Sequence, residues 1–142
     1  MYNTASQLSS SKDGGILLTG ASGYIGGRLL AKLLAEGRSV RCLCRDPLVL
    51  RRPEDLACEV LTGDVLDYDT LPPAMAGIDT AFYLIHSMGD RGKFEDLEAR
   101  AARNFATAAR AAGIKRIIYL GGLCQGDGKQ SAHMRSRAAV GK

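Results

Sequence analysis

"GILLTGASGYIGGRLLAKLLAEG" occupies residues 15–37, and the reading of this stretch decides the fold. Its first five residues form a short apolar run ending at a glycine, the pattern of a buried strand. From Tyr24 onward the apolar spacing changes to that of a helix. Ile25, Leu29, Leu33 and Leu34 are expected on one face, with Gly37 closing the helix. Between the two segments lies "TGASGYIGG", with glycines at 20, 23 and 26.

Downstream the alternation continues. Strands are expected at residues 39–44, 58–64, 80–86 and 115–122. A short helix is expected at 70–77, where prolines are tolerated in the first turn. A long helix is expected at 93–113, with Leu97, Ala101, Phe105 and Ala108 as its apolar stripe and Gly113 as its cap. A further helix is expected to begin at Ser131. Strands alternating with helices imply an α/β fold, a doubly wound parallel sheet of five strands in the order 3-2-1-4-5. Residues 1–13, polar and Ser-rich, read as a flexible tail, and residues 14–142 as one domain. The expected last helix has no sixth strand or substrate-binding segment after it, which points to the cofactor-binding half of a longer protein.

The glycine spacing gains its meaning from this strand–turn–helix context. Gly20 permits a tight turn, Gly23 lets the backbone approach a pyrophosphate, and Gly26 lets the helix pack closely. An anion would then sit on the unsatisfied N–H groups of the helix N-terminus, where the macrodipole also favours negative charge. A dinucleotide is the implied ligand, held by Thr19, Gly20, Ser22, Gly23, Tyr24, Ile25 and Gly26. In such folds the end of the second strand chooses between NAD and NADP. Here it reads "CRDP". Arg45 can pair with a 2′-phosphate in a fork geometry, which favours NADP, while Asp46 keeps NAD open. Asp64, with Val65, either frames the adenine or caps a turn. Leu84, Ile85 and His86 end the fourth strand and would line the nicotinamide side, with Ser87 beside them.

Composition narrows the classes. The chain has 142 residues, 46% hydrophobic and 24% charged, with a net charge of +4. Its basic residues are scattered and aromatics are 6%, which argues against nucleic acid as a partner. No segment has the apolar length of a membrane span or a secretory leader. Cys42, Cys44, Cys58 and Cys124 lack metal-ligand spacing. They read as reduced core thiols of a cytoplasmic protein, with Cys42 and Cys44 on one strand face. No metal is expected.

The motifs "TGASGYIG", "GDVLD", "AFYLIHSMG" and "NFATAARAAGIKRIIYLGGL" together resemble the short-chain dehydrogenase/reductase superfamily, in its atypical and extended branch of NmrA-like and epimerase-like NAD(P)-binding proteins. The resemblance runs over about residues 14–142 and implies a Rossmann fold and an NADP-dependent oxidoreductase. Catalytic members carry a serine after the fifth strand and a Tyr-x-x-x-Lys helix. Gly121 and Gly122 stand in the serine region here, His133 at the tyrosine and Arg137 at the lysine. The resemblance therefore implies either altered acid–base groups, with histidine transferring protons and arginine holding a ribose, or polar surface residues with no catalytic part. Two functions stay open: an oxidoreductase acting on a small substrate, and a module that senses NADP(H) and reports to a protein partner. A third reading has the chain completing its sheet by association, as a homo-oligomer joined at the open fifth strand.

Overall fold

The computed structural model describes residues 14–50, 57–85, 94–121 and 140–141. Five parallel strands form one sheet in the order β3-β2-β1-β4-β5. They are β1 (Gly15–Thr19), β2 (Val40–Cys44), β3 (Glu59–Thr62), β4 (Ile78–Tyr83) and β5 (Arg116–Tyr119). Helix α1 (Tyr24–Ala35) joins β1 to β2, the short α2 (Leu71–Met75) precedes β4, and α3 (Phe94–Ala111) precedes β5. The expected strand order is the observed one.

Strand β1 is buried along its whole length, which explains its unbroken apolar run: both faces of the sheet are covered there. Its side chains alternate between two cores. Ile16 and Leu18 join Leu30 and Leu33 of α1 with Val40 and Cys42 of β2. Leu17 joins Leu43, Leu71, Met75, Ala81 and Tyr83 with Ala101, Phe105 and Ala108 of α3 on the other face. Phe105 packs edge-on against Tyr83, ring centroids 4.8 Å apart. Val140 also packs against this second core.

Two helix faces depart from expectation. Ile25 was expected on the buried stripe of α1, but it is 49% exposed. The buried residues are Gly26, Leu30 and Leu33, with Leu29 and Leu34 partly covered. The close fit of Gly26 against the glycine turn sets the rotation of the helix and turns Ile25 outward. On α3, Leu97 is 37% exposed while Glu98 is buried at 6%. Ala101, Phe105 and Ala108 are buried as expected, and Ala109 joins them. The fourth strand begins at Ile78, before the expected residue 80, and ends at Tyr83, so Leu84 and Ile85 lie just past it. Gly37 and Gly113 take the left-handed φ values of 70° and 72° expected where each helix closes.

At the amino edge of the sheet a buried arginine ties three elements together. Arg41 Nε donates to Glu59 Oε2 at 2.6 Å, and its Nη1 donates to the carbonyl oxygens of Ala74 and Ala76, each at 2.8 Å. The carboxyl edge is the opposite one, and there the chain leaves open backbone groups and polar turns. Strand β5 lies at the border of the sheet, with Ile117, Ile118 and Leu120 36–45% exposed.

Candidate functional site

Four parallel strands deliver their carboxyl ends to one edge. β1 ends at Thr19, β2 at Cys44, β3 at Thr62 and β4 at Tyr83. The order reverses between β1 and β4, since β1 runs on through α1 to β2 on one side and has β4 on the other. Ligands of open α/β sheets bind in the crevice at such a reversal.

The glycine turn occupies that crevice, and its three glycines do three different things. Gly20 has φ of +75°, and a Cβ there would lie 2.7 Å from the Leu84 carbonyl oxygen. Only glycine serves both demands. A Cβ on Gly26 would collide with the carbonyl of Gly20, so the helix can start this close to the strand only without one. At Gly23 the nearest atom to an added Cβ is the Gly20 oxygen at 3.4 Å, with nothing else within 4 Å. Its missing side chain therefore keeps a space clear above the turn.

Gly23 is the N-cap of α1 and offers no side chain to the helix end. The Gly23 N–H donates to Gly20 O at 3.1 Å, which sets the turn. The N–H groups of Tyr24, Ile25 and Gly26 follow in the first helical turn, where no intrahelical acceptor exists. No acidic residue sits in that turn. Ser22, Gly23, Tyr24 and Ile25 are all exposed. The Arg28 guanidinium stacks 4.6 Å from the Tyr24 ring centroid one turn along. An anion with several oxygens fits this cradle, and a pyrophosphate has that chemistry.

Thr19, the last residue of β1, makes its side-chain bonds to β4 and none to the glycine turn. It is fully buried. Its hydroxyl donates to the Phe82 carbonyl oxygen at 2.9 Å and accepts from the Leu84 N–H at 3.3 Å. It clips β1 to β4 at the switch point.

At the end of β2, Arg45 is exposed. Asp46 behaves differently: its Oδ1 accepts from the Leu48 N–H at 2.9 Å and caps a 3-10 turn at Pro47–Val49. At the end of β3, Asp64 Oδ1 accepts from the Leu66 N–H at 2.9 Å. Thr70 closes the same loop. Its Oγ1 accepts from the Asp64 N–H at 3.0 Å and lies 2.9 Å from Asp64 O and 2.8 Å from Asp67 O. Val65 is buried at 5%, with its side chain in the α3-side core. Asn104 of α3 reaches the loop from below, its Nδ2 donating to Val65 O at 3.0 Å and Leu66 O at 3.3 Å. Leu84 and Ile85 are half-buried beyond β4.

The structure thus gathers Gly20, Ser22, Gly23, Tyr24, Ile25, Gly26, Arg45, Asp64, Val65, Leu84 and Ile85 along one edge. His86, Ser87, Gly122, Cys124, His133 and Arg137 lie outside the described residues. Thr70 and Asn104 went unread in the sequence. Thr70 carried a weak signal, a hydroxyl directly before a Leu-Pro-Pro helix start. Asn104 carried a stronger one, an amide beside the buried Phe105 on an alanine-rich helix.

Cys42, Cys44 and Cys58 are free thiols, all packed in the α1-side core. Hydrogen bonding with Cys58, and then burial, pushes the Cys42 thiol well up, so it stays protonated. Burial raises Cys44 as well. Among the described residues no group of three His, Cys, Asp or Glu could hold a metal. No described helix is long and apolar enough to cross a membrane.

The profile of the NAD(P)H-binding family matches residues 20–140. A 3β-hydroxysteroid dehydrogenase/Δ5→4-isomerase of Mycobacterium tuberculosis is 34% identical over 75% of this chain and 31% of its own length. A ketoreductase of Stigmatella aurantiaca, acting on 4-hydroxy-2-methyl-3-oxo-4-farnesyl-3,4-dihydroquinoline-1-oxide, is 31% identical over 72% of this chain and 32% of its own. Among solved structures, the Citrobacter sp. triphenylmethane reductase complexed with NADP(H) superposes with a TM-score of 0.75 at 25% identity, over 89% of this chain and 44% of that one. The chain spans about a third of the length of these curated relatives. A glycine turn clear of side chains, an open helix N-terminus at the switch point and a profile match running from that turn to Val140 agree, and the chain belongs to the NAD(P)H-binding family of Rossmann-type proteins.

Proposed function

We propose that this chain binds NADPH in preference to NADH, as the cofactor-binding part of an oxidoreductase that reduces a carbonyl or related small substrate. The observation that carries the cofactor preference is the division of labour after β2. The Asp46 carboxylate caps the 3-10 turn, whereas the neighbouring Arg45 stands exposed at the strand end. A diol-binding acid at this edge would select NAD, and an arginine selects the 2′-phosphate.

The remaining roles follow from position. The first-turn N–H groups after Gly23 receive the pyrophosphate, with Ser22 beside them. Asp64 flanks the adenine with the backbone of Val65 beside it, Leu84 and Ile85 line the nicotinamide, and the sequence puts His86 next to them. Bound nicotinamide supplies a hydride. The protein's task is to hold that ring at the switch point and exclude water from it. His133 as proton donor and Arg137 as ribose-holding cation are proposed from their spacing of four. The dehydrogenase and ketoreductase relatives support carbonyl chemistry, and the free thiols Cys42, Cys44 and Cys58, the cysteines among the described residues, support the proposal of a reducing, cytoplasmic setting.

Titration of the protein with NADPH and NADH, followed by nicotinamide fluorescence, tests the reading. Gly23→Val should abolish binding of both while the circular dichroism spectrum is unchanged, because its branched side chain fills the cleared space. Arg45→Ala should weaken NADPH roughly 10–150-fold, the loss of a charge-assisted pair, and leave NADH within about threefold. Equal losses for the two cofactors would remove Arg45 as the phosphate reader. Oxidation of NADPH with a panel of carbonyl compounds then separates an enzyme from a sensor. Turnover lost in His133→Ala would make His133 the acid, and tight binding without turnover would favour a sensing module.

A further inference from the structure

We propose that Asn104, on α3 and outside the cofactor cleft, is a positioning residue that sets the adenine selectivity of the site. The inference rests on the assignment of Asp64 to the adenine end of the cofactor.

The loop after β3 is fixed from two sides. From within, Asp64 Oδ1 accepts from the Leu66 N–H at 2.9 Å, and Thr70 Oγ1 holds both the N–H and the carbonyl of Asp64. From beneath, the Asn104 amide donates to two successive carbonyl oxygens, Val65 O at 3.0 Å and Leu66 O at 3.3 Å. These contacts cross 39 and 38 residues of chain. Arg100, one turn earlier on α3, adds a longer contact to Leu66 O at 3.4 Å. Asn104 is itself held firmly, since the next residue, Phe105, is 2% exposed and packs on Tyr83. The amide therefore transmits the position of a rigid helix to the loop that aims Asp64.

One Asp64 oxygen is spent on the turn, and the other can accept a hydrogen bond from a ligand. The exocyclic amine of adenine is a donor suited to it. Hypoxanthine carries a carbonyl oxygen at that position, which the carboxylate repels. A carboxylate discriminates between the two only while its direction is fixed. Without the Asn104 bonds the Val65 carbonyl loses its donor and the Leu66 carbonyl keeps only the long Arg100 contact, and the loop can turn toward water and swing Asp64 with it.

The test compares NADPH with reduced nicotinamide hypoxanthine dinucleotide phosphate by fluorescence titration of the full chain. Wild-type protein should prefer the adenine form about tenfold or more, the scale of a hydrogen bond to a charged group. In Asn104→Ala the preference should fall to about threefold or less, chiefly through weaker NADPH binding. Asn104→Ser, which retains one short donor, should fall between the two and guards against a fold defect in the alanine variant. A lowered melting temperature with the adenine preference intact, or equal losses for both ligands, would show a structural role alone and overturn the proposal. A wild-type protein that binds both dinucleotides equally would overturn it too. Failure of wild-type protein to bind NADPH at all would instead overturn the functional reading beneath it.

Discussion

The turn after β1 and the turn after β3 face the same crevice, yet they are built by opposite means. The first is made of backbone. Gly20, Gly23 and Gly26 shape it, a single bond from Gly23 N–H to Gly20 O sets it, and no side chain caps the helix that follows. The second is made of side chains. Asp64, Thr70 and Asn104 between them engage the backbone of Asp64, Val65, Leu66 and Asp67. The difference fits the roles proposed for the two turns. A turn that must present N–H groups to an anion keeps side chains out of the way. A turn that must aim one carboxylate needs them as struts.

The sharpest way to break the contrast is to add atoms to the backbone turn. In Gly26→Ala the new Cβ meets the Gly20 carbonyl, and neither partner is a flexible side chain. A destabilisation of about 3 kcal/mol or more is expected in urea unfolding, at the upper end for overpacking. Gly23→Ala, with only a 3.4 Å contact to relieve, should stay within about 1 kcal/mol of wild type and lose cofactor affinity instead. Similar losses of stability in both would mean that Gly23 is structural and that the cleared space has no ligand.

A second prediction concerns the core behind the side-chain turn. Tyr83 packs on Phe105, next to Asn104, and is 5% exposed. Burial, with smaller contributions from Glu98 and Tyr119, pushes its pKa up from 10.0 to about 12. The folded state therefore holds the phenolic proton where the unfolded state has released it. This contribution is complete below pH 10 and is lost as the pH rises toward 12, about 2–3 kcal/mol in all. Tyr83→Phe removes the titrating proton. Unfolding measured between pH 9 and 12 should show a shallower decline in the variant, and identical slopes would mean that Tyr83 titrates normally.

Thr70→Val tests the struts directly. The shape is kept, and the hydroxyl that serves Asp64 and Asp67 is lost. A cost of about 1–2 kcal/mol is expected, because the Asp64 N–H loses its acceptor in a half-buried site. NADPH binding should weaken and that of a nicotinamide mononucleotide fragment should not. Equal weakening of both would place the effect on the whole edge rather than on the adenine end.

The contrast also marks how far the sequence could be read. The backbone turn was legible because glycine spacing, a preceding apolar run and a following helical period are all local signals. The sheet order followed from the alternation of elements. Helix rotation did not follow. Periodicity gives the width of an apolar stripe but not its phase, and the contact of Gly26 with Gly20 moved the stripe off Ile25. Glu98 entering the core beside Leu97 is the same failure on α3. The side-chain turn was half legible. Asp64 was open between a ligand contact and a turn cap, and its Oδ1 makes the cap. Thr70 acts across a loop and Asn104 reaches that loop from α3, and the signals their neighbours carry do not say which backbone groups they engage. Thr19 belonged to the glycine motif by sequence, whereas its hydroxyl is committed to β4.

The smallest effect is expected at Ser22, the one polar side chain on the backbone turn. It is exposed and lies between Ala21, buried at 3%, and the side-chain-free Gly23. If the turn is held by its backbone, removing this hydroxyl costs the fold nothing. Ser22→Ala should unfold within about 0.5 kcal/mol of wild type, as surface substitutions do. Its hydroxyl can still donate to a phosphate oxygen beside the first-turn N–H groups. One such bond is worth about 0.5–1.5 kcal/mol, so NADPH should bind roughly two- to tenfold more weakly. Calorimetric melting and fluorescence titration on the same preparation give both numbers. A melting point lowered by several degrees with binding unchanged would show that a side chain supports this turn as well, and the contrast with the β3 turn would fail.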